Sequence, residues 1–396
     1  MDAEWEIPFE ELEFTNHLPT ARGAFAEVYR GKWRKIEVAI KVFESRHSLD
    51  KSGKSGPYNK LDKLNLDKLD KEEKERLNEL RILTLVHHPN IVMFLGYAKI
   101  LATKICLVFE WMHGGNLFDT IHTQPFKHSY QKRIQWSRDV STAVLYLHHR
   151  TPTKIIHRDL KPTNCLMDKY GSCKVTDFGI SKTVIIPKNR ILLHHSPMAY
   201  LSNSSLYQLQ RTNESSFSEG ASTSAVHEED NNNNKEEKQH RSVGAVGTFR
   251  YMAPEIMEDV LIIDDVEWKN DSGELCKKHR TSENLDMYSL GMILYFIWED
   301  RQPFWDWESS CPIGSQESTK ERMVSFCKYV YEGNRPRFYK TPRRIQKVIR
   351  QCWHVDPSQR PNADSIVSLF EESSGTFQER CLFSVYNCAQ CICTSL

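Results

Sequence analysis

The chain has almost no net charge. Its 53 Lys and Arg offset 52 Asp and Glu, leaving +1 at pH 7. The overall field therefore gives no reason for nucleic acid or an anionic membrane as an obligatory partner, and recognition has to be local. Long apolar runs are missing too, so no segment reads as a membrane-spanning helix. The opening MDAEWEIPFEELEF is acidic and lacks the basic-then-apolar order of a signal peptide. These absences predict an intracellular, cytoplasmic protein. The cysteines ahead of the last sixteen residues have no paired spacing, which in a cytosolic setting reads as buried thiols rather than disulfides. No internal repeat is visible.

What is present is enough chain, 396 residues, for two or three compact units. LEFTNHLP, AFAEVYRGKW and IEVAIKVF alternate in strand fashion and predict three antiparallel strands. In the charged stretch that follows, KLDKLNLDKLDK reads as a solvated helix or a flexible insert, and Leu80, Leu83 and Val86 then fall at helical spacing. HHPNIVMFLGYAKI and KICLVFEW read as two further strands. From about residue 130 the texture turns helical. Trp136, Val140, Ala143 and Leu147 share one face, and LDMYSLGMILYFIWED is apolar nearly all round, as a central buried helix would be. Strands first and helices afterwards predict an α+β chain with two lobes.

The chemistry begins at IIHRDLKPTNCL. Asp159 and Asn164, a carboxylate and an amide five residues apart, suit the orientation of a hydroxyl nucleophile and the holding of a metal. Thirteen residues after Asn164 comes Asp177-Phe178-Gly179, a second carboxylate before a glycine that permits a tight turn. VAIK precedes both strings and GTFRYMAPE follows them.

In that order the motifs resemble the eukaryotic protein kinase family, over the chain from about Trp5 to Glu372. The resemblance implies a bilobal kinase fold with a small antiparallel-sheet N-lobe and a larger, mainly helical C-lobe. It places a lead-in at 1–11, the kinase domain at 12–373 and a tail at 374–396. The N-lobe then covers about 12–112 and the C-lobe about 113–373, with a disordered polar insert at about 184–243. ATP and Mg²⁺ are the implied cofactors and proteins the implied substrates, with no role for nucleic acid. By the same resemblance Lys41 contacts the α- and β-phosphates and pairs with Glu79. Asp159 orients the attacking hydroxyl, Lys161 steadies the γ-phosphate, and Asn164 and Asp177 hold magnesium. Val28, Ala39 and Leu166 enclose adenine, Glu110 and the Met112 backbone form the hinge, and Phe109 guards the space behind the base. Glu255 pairs with Arg360 and anchors the substrate-binding segment. Lys161, two residues beyond Asp159, and Thr248 match the serine/threonine-specific spelling. WEIPFEELEF, GKW and CWHVDPSQRP resemble the tyrosine kinase-like group, the Raf-type and mixed-lineage relatives.

Several departures from the family pattern remain. Aligned on Val28, the glycine loop ARGAFAEV has Ala21 and Ala26 where the first and third glycines belong, and keeps only Gly23. Backbone amides donate to phosphate, so a methyl group interferes only where φ must be positive or the phosphate oxygens come very close. The expectation is an active serine/threonine kinase with a looser ATP cradle; the alternative is a nucleotide-binding pseudokinase or scaffold. Asp177 to Glu255 spans 78 positions, well beyond the common length. Arg158 is the residue that, by resemblance, receives a phosphate from this segment, with Ser242 beside Arg241 the candidate donor; a plain solvated spacer is the other reading. In the tail, Cys381, Cys388, Cys391 and Cys393 fit zinc poorly. Acylation of these cysteines beside Phe383 and Tyr386 would give membrane attachment, and Thr394-Ser395-Leu396 resembles a PDZ-domain ligand.

Overall fold

The computed structural model describes residues 5–15, 18–22, 26–43, 78–101, 104–124, 127–185, 249–257, 282–307 and 319–372. Its first lobe rests on one antiparallel sheet. The strands are β1 (Leu12–Phe14), β2 (Ala21–Arg22), β3 (Ala26–Trp33), β4 (Ile36–Phe43), β5 (Phe94–Leu101) and β6 (Lys104–Glu110). Their order is β1-β3-β4-β6-β5, with β2 paired to β3. Alternation decides the faces. Val38 and Ile40 of β4 are fully buried in an outer cluster with Ile7, Leu12, Ala98 and Val108, while Lys41, one residue on, turns inward. The glycine of GKW has a packing reason: a Cβ on Gly31 would lie 2.5 Å from Ile40 Cδ1 and 2.7 Å from the Glu13 carbonyl. Among the described residues of LEFTNHLP, Leu12–Phe14 are strand, and the strand within HHPNIVMFLGYAKI begins at Phe94. The residues before Phe94 do other work: Val92 N–H donates to the Val175 carbonyl at 2.9 Å and Val175 N–H to the Asn90 carbonyl at 2.8 Å, tying the two lobes together.

Helix α1 occupies 78–83 among the described residues and buries Leu80, Ile82 and Leu83. The second lobe contains α2 (Leu117–Thr123) and α3 (Tyr130–His149), capped by Asn116 and Ser129, whose side chains accept from the N–H of Asp119 and Lys132. Beyond α3 run β7 (Thr153–Ile156), β8 (Cys165–Met167), β9 (Cys173–Val175) and β10 (Lys182–Ile185), then α4 (Asn284–Glu299), α5 (Thr319–Tyr331), α6 (Arg343–Cys352) and α7 (Ala363–Glu372). α4 is buried on every side, as its continuous apolar sequence requires, and packs between α3 and α6, while α7 lies on α3. The hairpin β8–β9 and the pair β7–β10 sit beside the cleft. Val184 and Ile185, expected at the start of the polar insert, are strand residues, because the β10 ladder against Lys154 and Thr153 continues through them. The rest of the insert, 186–243, lies outside the described residues, as do residues 244–248, residue 373 and the tail, 374–396.

Candidate active site

The floor of the cleft is assembled around one buried carboxylate. Asp286, in the first turn of α4, accepts from the backbone N–H of His157 at 2.8 Å and of Arg158 at 2.8 Å. His148 Nε2 stands 2.8 Å from the same carboxylate, which can only accept, so that nitrogen carries the hydrogen. Burial alone would raise the Asp286 carboxyl; the His148 bond and charge, His157 and the Arg158 N–H outweigh it and hold it below the ordinary value. This grip fixes a loop in which Arg158 adopts left-handed backbone at φ 70°, and Asp177, in the neighbouring loop, does the same at φ 69°. Such non-glycine conformations cost energy and persist where the surroundings over-determine them. His157 completes the frame: Nε2 meets the Thr176 carbonyl at 3.0 Å, and its ring packs on Phe178 at 5.0 Å.

On this frame the predicted residues converge. Lys161 Nζ lies 2.7 Å from Asp159 Oδ2, and Asn164 Nδ2 donates to the same oxygen and to the Asp159 carbonyl, both at 2.9 Å. Thr176 N–H donates to the Asn164 carbonyl at 2.9 Å, joining the loop of Asp159 to that of Asp177. From the sheet above, Lys41 Nζ reaches Glu79 Oε1 at 2.7 Å and Asp177 Oδ1 at 3.0 Å. Burial would depress the Lys41 ammonium, yet the charges of Asp177 and Glu79 raise it above the ordinary lysine value. Burial pushes the Glu79 carboxyl up against the pull of Lys41; Asp177, also burdened by burial, is drawn down by Lys41. The Asp177 side chain is 43% exposed, so it offers oxygen to the cleft as well as to Lys41. Asn164, whose amide nitrogen is spent on Asp159, has its Oδ1 as a second hard donor; these are ligand types that magnesium accepts.

The remaining positions fall on either side of the connection between lobes. Val28 pairs with Lys41 and Ala39 with Phe109 in the sheet, while Leu166 bridges to Asn116 on the floor. Phe109 is buried edge-on to Phe94, with ring centroids 5.6 Å apart. Glu110 contributes no side chain to the pocket. Its carboxylate accepts from Lys174 Nζ at 2.7 and 2.8 Å and from Met93 N–H at 2.8 Å, leaving only its backbone for the hinge. Met112 is buried. Ala21 and Ala26 stand in β2 and β3, opposite Val28 and Phe43, and neither has positive φ. Ala26 is buried in the main core, so its methyl packs inward. Gly23 lies outside the described residues, as do Ser242 and Thr248.

The substrate side shows the expected anchor: Arg360 forms a two-pronged pair with Glu255, at 2.6 and 2.9 Å. Arg250 donates to the carbonyls of Pro303 and Phe304 at 2.9 and 2.7 Å. Arg158 donates to the Ile180 carbonyl at 3.2 Å. Sequence reading passed over Asp286 and His148. The available signal was a lone carboxylate near the start of an otherwise apolar helix.

A sheet lobe, a helical lobe and a cleft whose lysine and carboxylates meet in this way define a bilobal phosphotransferase architecture. The model of the protein kinase domain matches residues 20–203 and 230–369, and the chain belongs to that family. It is 26% identical over 387 residues to serine/threonine-protein kinase VIK of Arabidopsis thaliana, covering 94% of this chain and 63% of that protein. It is 27% identical over 368 residues to mitogen-activated protein kinase kinase kinase 7 of Homo sapiens, covering 92% and 42%. It is also 27% identical over 375 residues to dual specificity protein kinase splA of Dictyostelium discoideum, covering 93% and 12%. The chain thus spans less than two thirds of the length of each of these relatives.

Proposed function

We propose that the chain is an ATP-dependent protein serine/threonine kinase, which passes the γ-phosphoryl group of Mg²⁺-ATP to hydroxyls of protein substrates. The observation that carries this reading is the double engagement of Lys41, with Glu79 and Asp177, above a loop that holds Asp159, Lys161 and Asn164 together. Phosphoryl transfer needs alignment and charge neutralisation more than covalent chemistry. Lys41, kept in place by Glu79, binds the phosphates. Asn164 and Asp177 are the metal-holding oxygens; when bound, magnesium neutralises charge on the transferring group. Asp159 accepts the hydrogen of the attacking hydroxyl, and Lys161, on the same carboxylate, steadies the charge that develops on the phosphate. Val28, Ala39 and Leu166 contact adenine, with the Glu110 and Met112 backbone along its edge; Ala21 and Gly23 belong to the cradle above. Arg158, Ser242 and Thr248 are assigned to regulation of the segment between Asp177 and Glu255. The five described cysteines are buried and free, which suits a cytoplasmic site of action.

Purified chain with magnesium and labelled ATP is expected to phosphorylate itself or a basic test protein on Ser or Thr, and Asp159→Ala to silence it. Equal trace incorporation by both proteins would overturn the reading in favour of a nucleotide-binding scaffold.

A further inference from the structure

The stretch ahead of β1 is built into the sheet. Trp5, Glu6 and Ile7 are held along β5, the strand at one edge of the first lobe. Glu6 forms a parallel bridge with Tyr97, Ile7 N–H donates to the Tyr97 carbonyl at 2.8 Å, and Lys99 Nζ donates to Glu6 Oε2 at 2.8 Å. The strand makes room for them. Between Phe94 and Gly96 two residues of β5 advance against one of β6, and a Cβ on Gly96 would lie 2.6 Å from the Trp5 carbonyl oxygen and 2.9 Å from Ile7 Cδ1.

From this edge a line of rings runs to the cleft. Trp5 stacks on Phe94, with centroids 5.6 Å apart and planes 26° from parallel, and Phe94 meets Phe109 edge-on at 5.6 Å. Phe94 and Phe109 are register partners and are 3% and 8% exposed, so each ring is fixed by its neighbours rather than by solvent. Trp5 closes the outer end of the line and also meets His87, in the connection that follows α1, at 5.8 Å. Close-packed interiors transmit a change of shape. Removing the indole leaves a void on one face of Phe94, into which that ring, and Phe109 after it, can relax.

We infer that Trp5 is a positioning residue that determines specificity: through Phe94 it holds the ring of Phe109, and so sets how large a purine substituent the cleft accepts. The inference rests on the kinase reading, which puts Phe109 behind adenine, but its test reads binding and needs no phosphate transfer. The full purified chain is titrated by calorimetry with ADP and with N6-benzyl-ADP, and the ratio of the two affinities is compared across variants. Trp5→Ala is expected to shift that ratio toward the benzyl analogue by at least about fivefold, while Trp5→Phe, which keeps a ring against Phe94, stays within about twofold of the wild type. Phe109→Gly is expected to give the shift by itself, and adding Trp5→Ala to it should move the ratio by less than about twofold more, because the two residues act in one line. A role in stability alone would weaken both nucleotides together and leave the ratio where it was. An unchanged ratio in a Trp5→Ala chain that still melts cooperatively would overturn the proposal. So would a full further shift on the Phe109→Gly background, since Trp5 would then act by another route. If Trp5→Ala fails to fold, Trp5→Leu replaces it with the same expected shift. A wild type that binds neither nucleotide would overturn this inference and the kinase reading together, whereas the expected shift in a chain that transfers no phosphate would refute the kinase reading and support this one.

Discussion

Above the cleft, Ala21 and Ala26 stand where the family pattern has glycine; below it, every charged position of the motifs is filled. The sheet supplies backbone and one lysine, whereas the floor supplies Asp159, Lys161 and Asn164 on a loop clamped by Asp286, and Asp177 on the neighbouring loop. The two sides therefore tolerate substitution differently. Extended strand geometry suits any residue, so the alanines introduce no backbone strain. A missing charge on the floor has no such substitute.

The comparison breaks first at Lys41, the sheet residue that reaches Asp177 on the floor. Lys41→Met removes both ion pairs and is expected to lower kcat/KM by about 10³-fold or more, measured by phosphate transfer to a test protein. An effect below tenfold would mean that the pairs to Glu79 and Asp177 do not support the reaction. Asp286→Asn tests the clamp without touching any group assigned to ATP. With only one acceptor oxygen left for three N–H donors, turnover is expected to fall about 10²-fold while ATP affinity, read by calorimetry, stays within about twofold. Loss of ATP binding instead would show that the clamp shapes the whole cleft.

A pH experiment sharpens the floor's own ledger of charges. Burial lifts Asp139, which accepts from Cys173 N–H beneath the β8–β9 hairpin, from 3.8 to about 6, against the lowering effect of that bond, Arg138, Lys132 and Asn90. Its folded value lies above its unfolded one, so the folded state favours the protonated carboxyl. Stability from this group is full below about 4, declines as pH rises toward 6 and is flat above. Asp139→Asn should flatten that slope and raise stability at pH 7 by on the order of 2 kcal/mol, measured by denaturant unfolding across pH. An unchanged slope would place the titration elsewhere.

The smallest effects belong to the alanines. Ala21→Gly should lower KM for ATP by about threefold at most, with kcat unchanged, since the charged groups are untouched. Ala26→Gly should act on stability instead, costing about 1 kcal/mol for a buried methyl and a freer strand. If Ala26→Gly tightened ATP without loss of stability, its methyl would have faced the phosphates after all.

How much of this could be read from the chain depends on distance along it. Asp159, Lys161 and Asn164 lie within six residues and announce themselves; so did the strand bearing Lys41 and the helix that became α4. Asp286 did not, because its partners are 128 to 138 residues away and no local pattern joins them. Glu110 was visible as part of the hinge, but which face of β6 its carboxylate would take was decided by Lys174, from a different hairpin. Ala26 looked like phosphate cradle because motif spacing does not reveal which methyl turns into a core.

The clamp also sets a timetable. A chain emerging from the ribosome completes the loop of Asp159 long before α4 exists, and until then the N–H groups of His157 and Arg158 lack the carboxylate that accepts from them. Contacts spanning so much sequence form late. The clamp is thus among the last parts of the cleft to form, and a synthesis interrupted before α4 leaves a chain with VAIK, HRDLKPTN, DFG and GTFRYMAPE but no clamped floor.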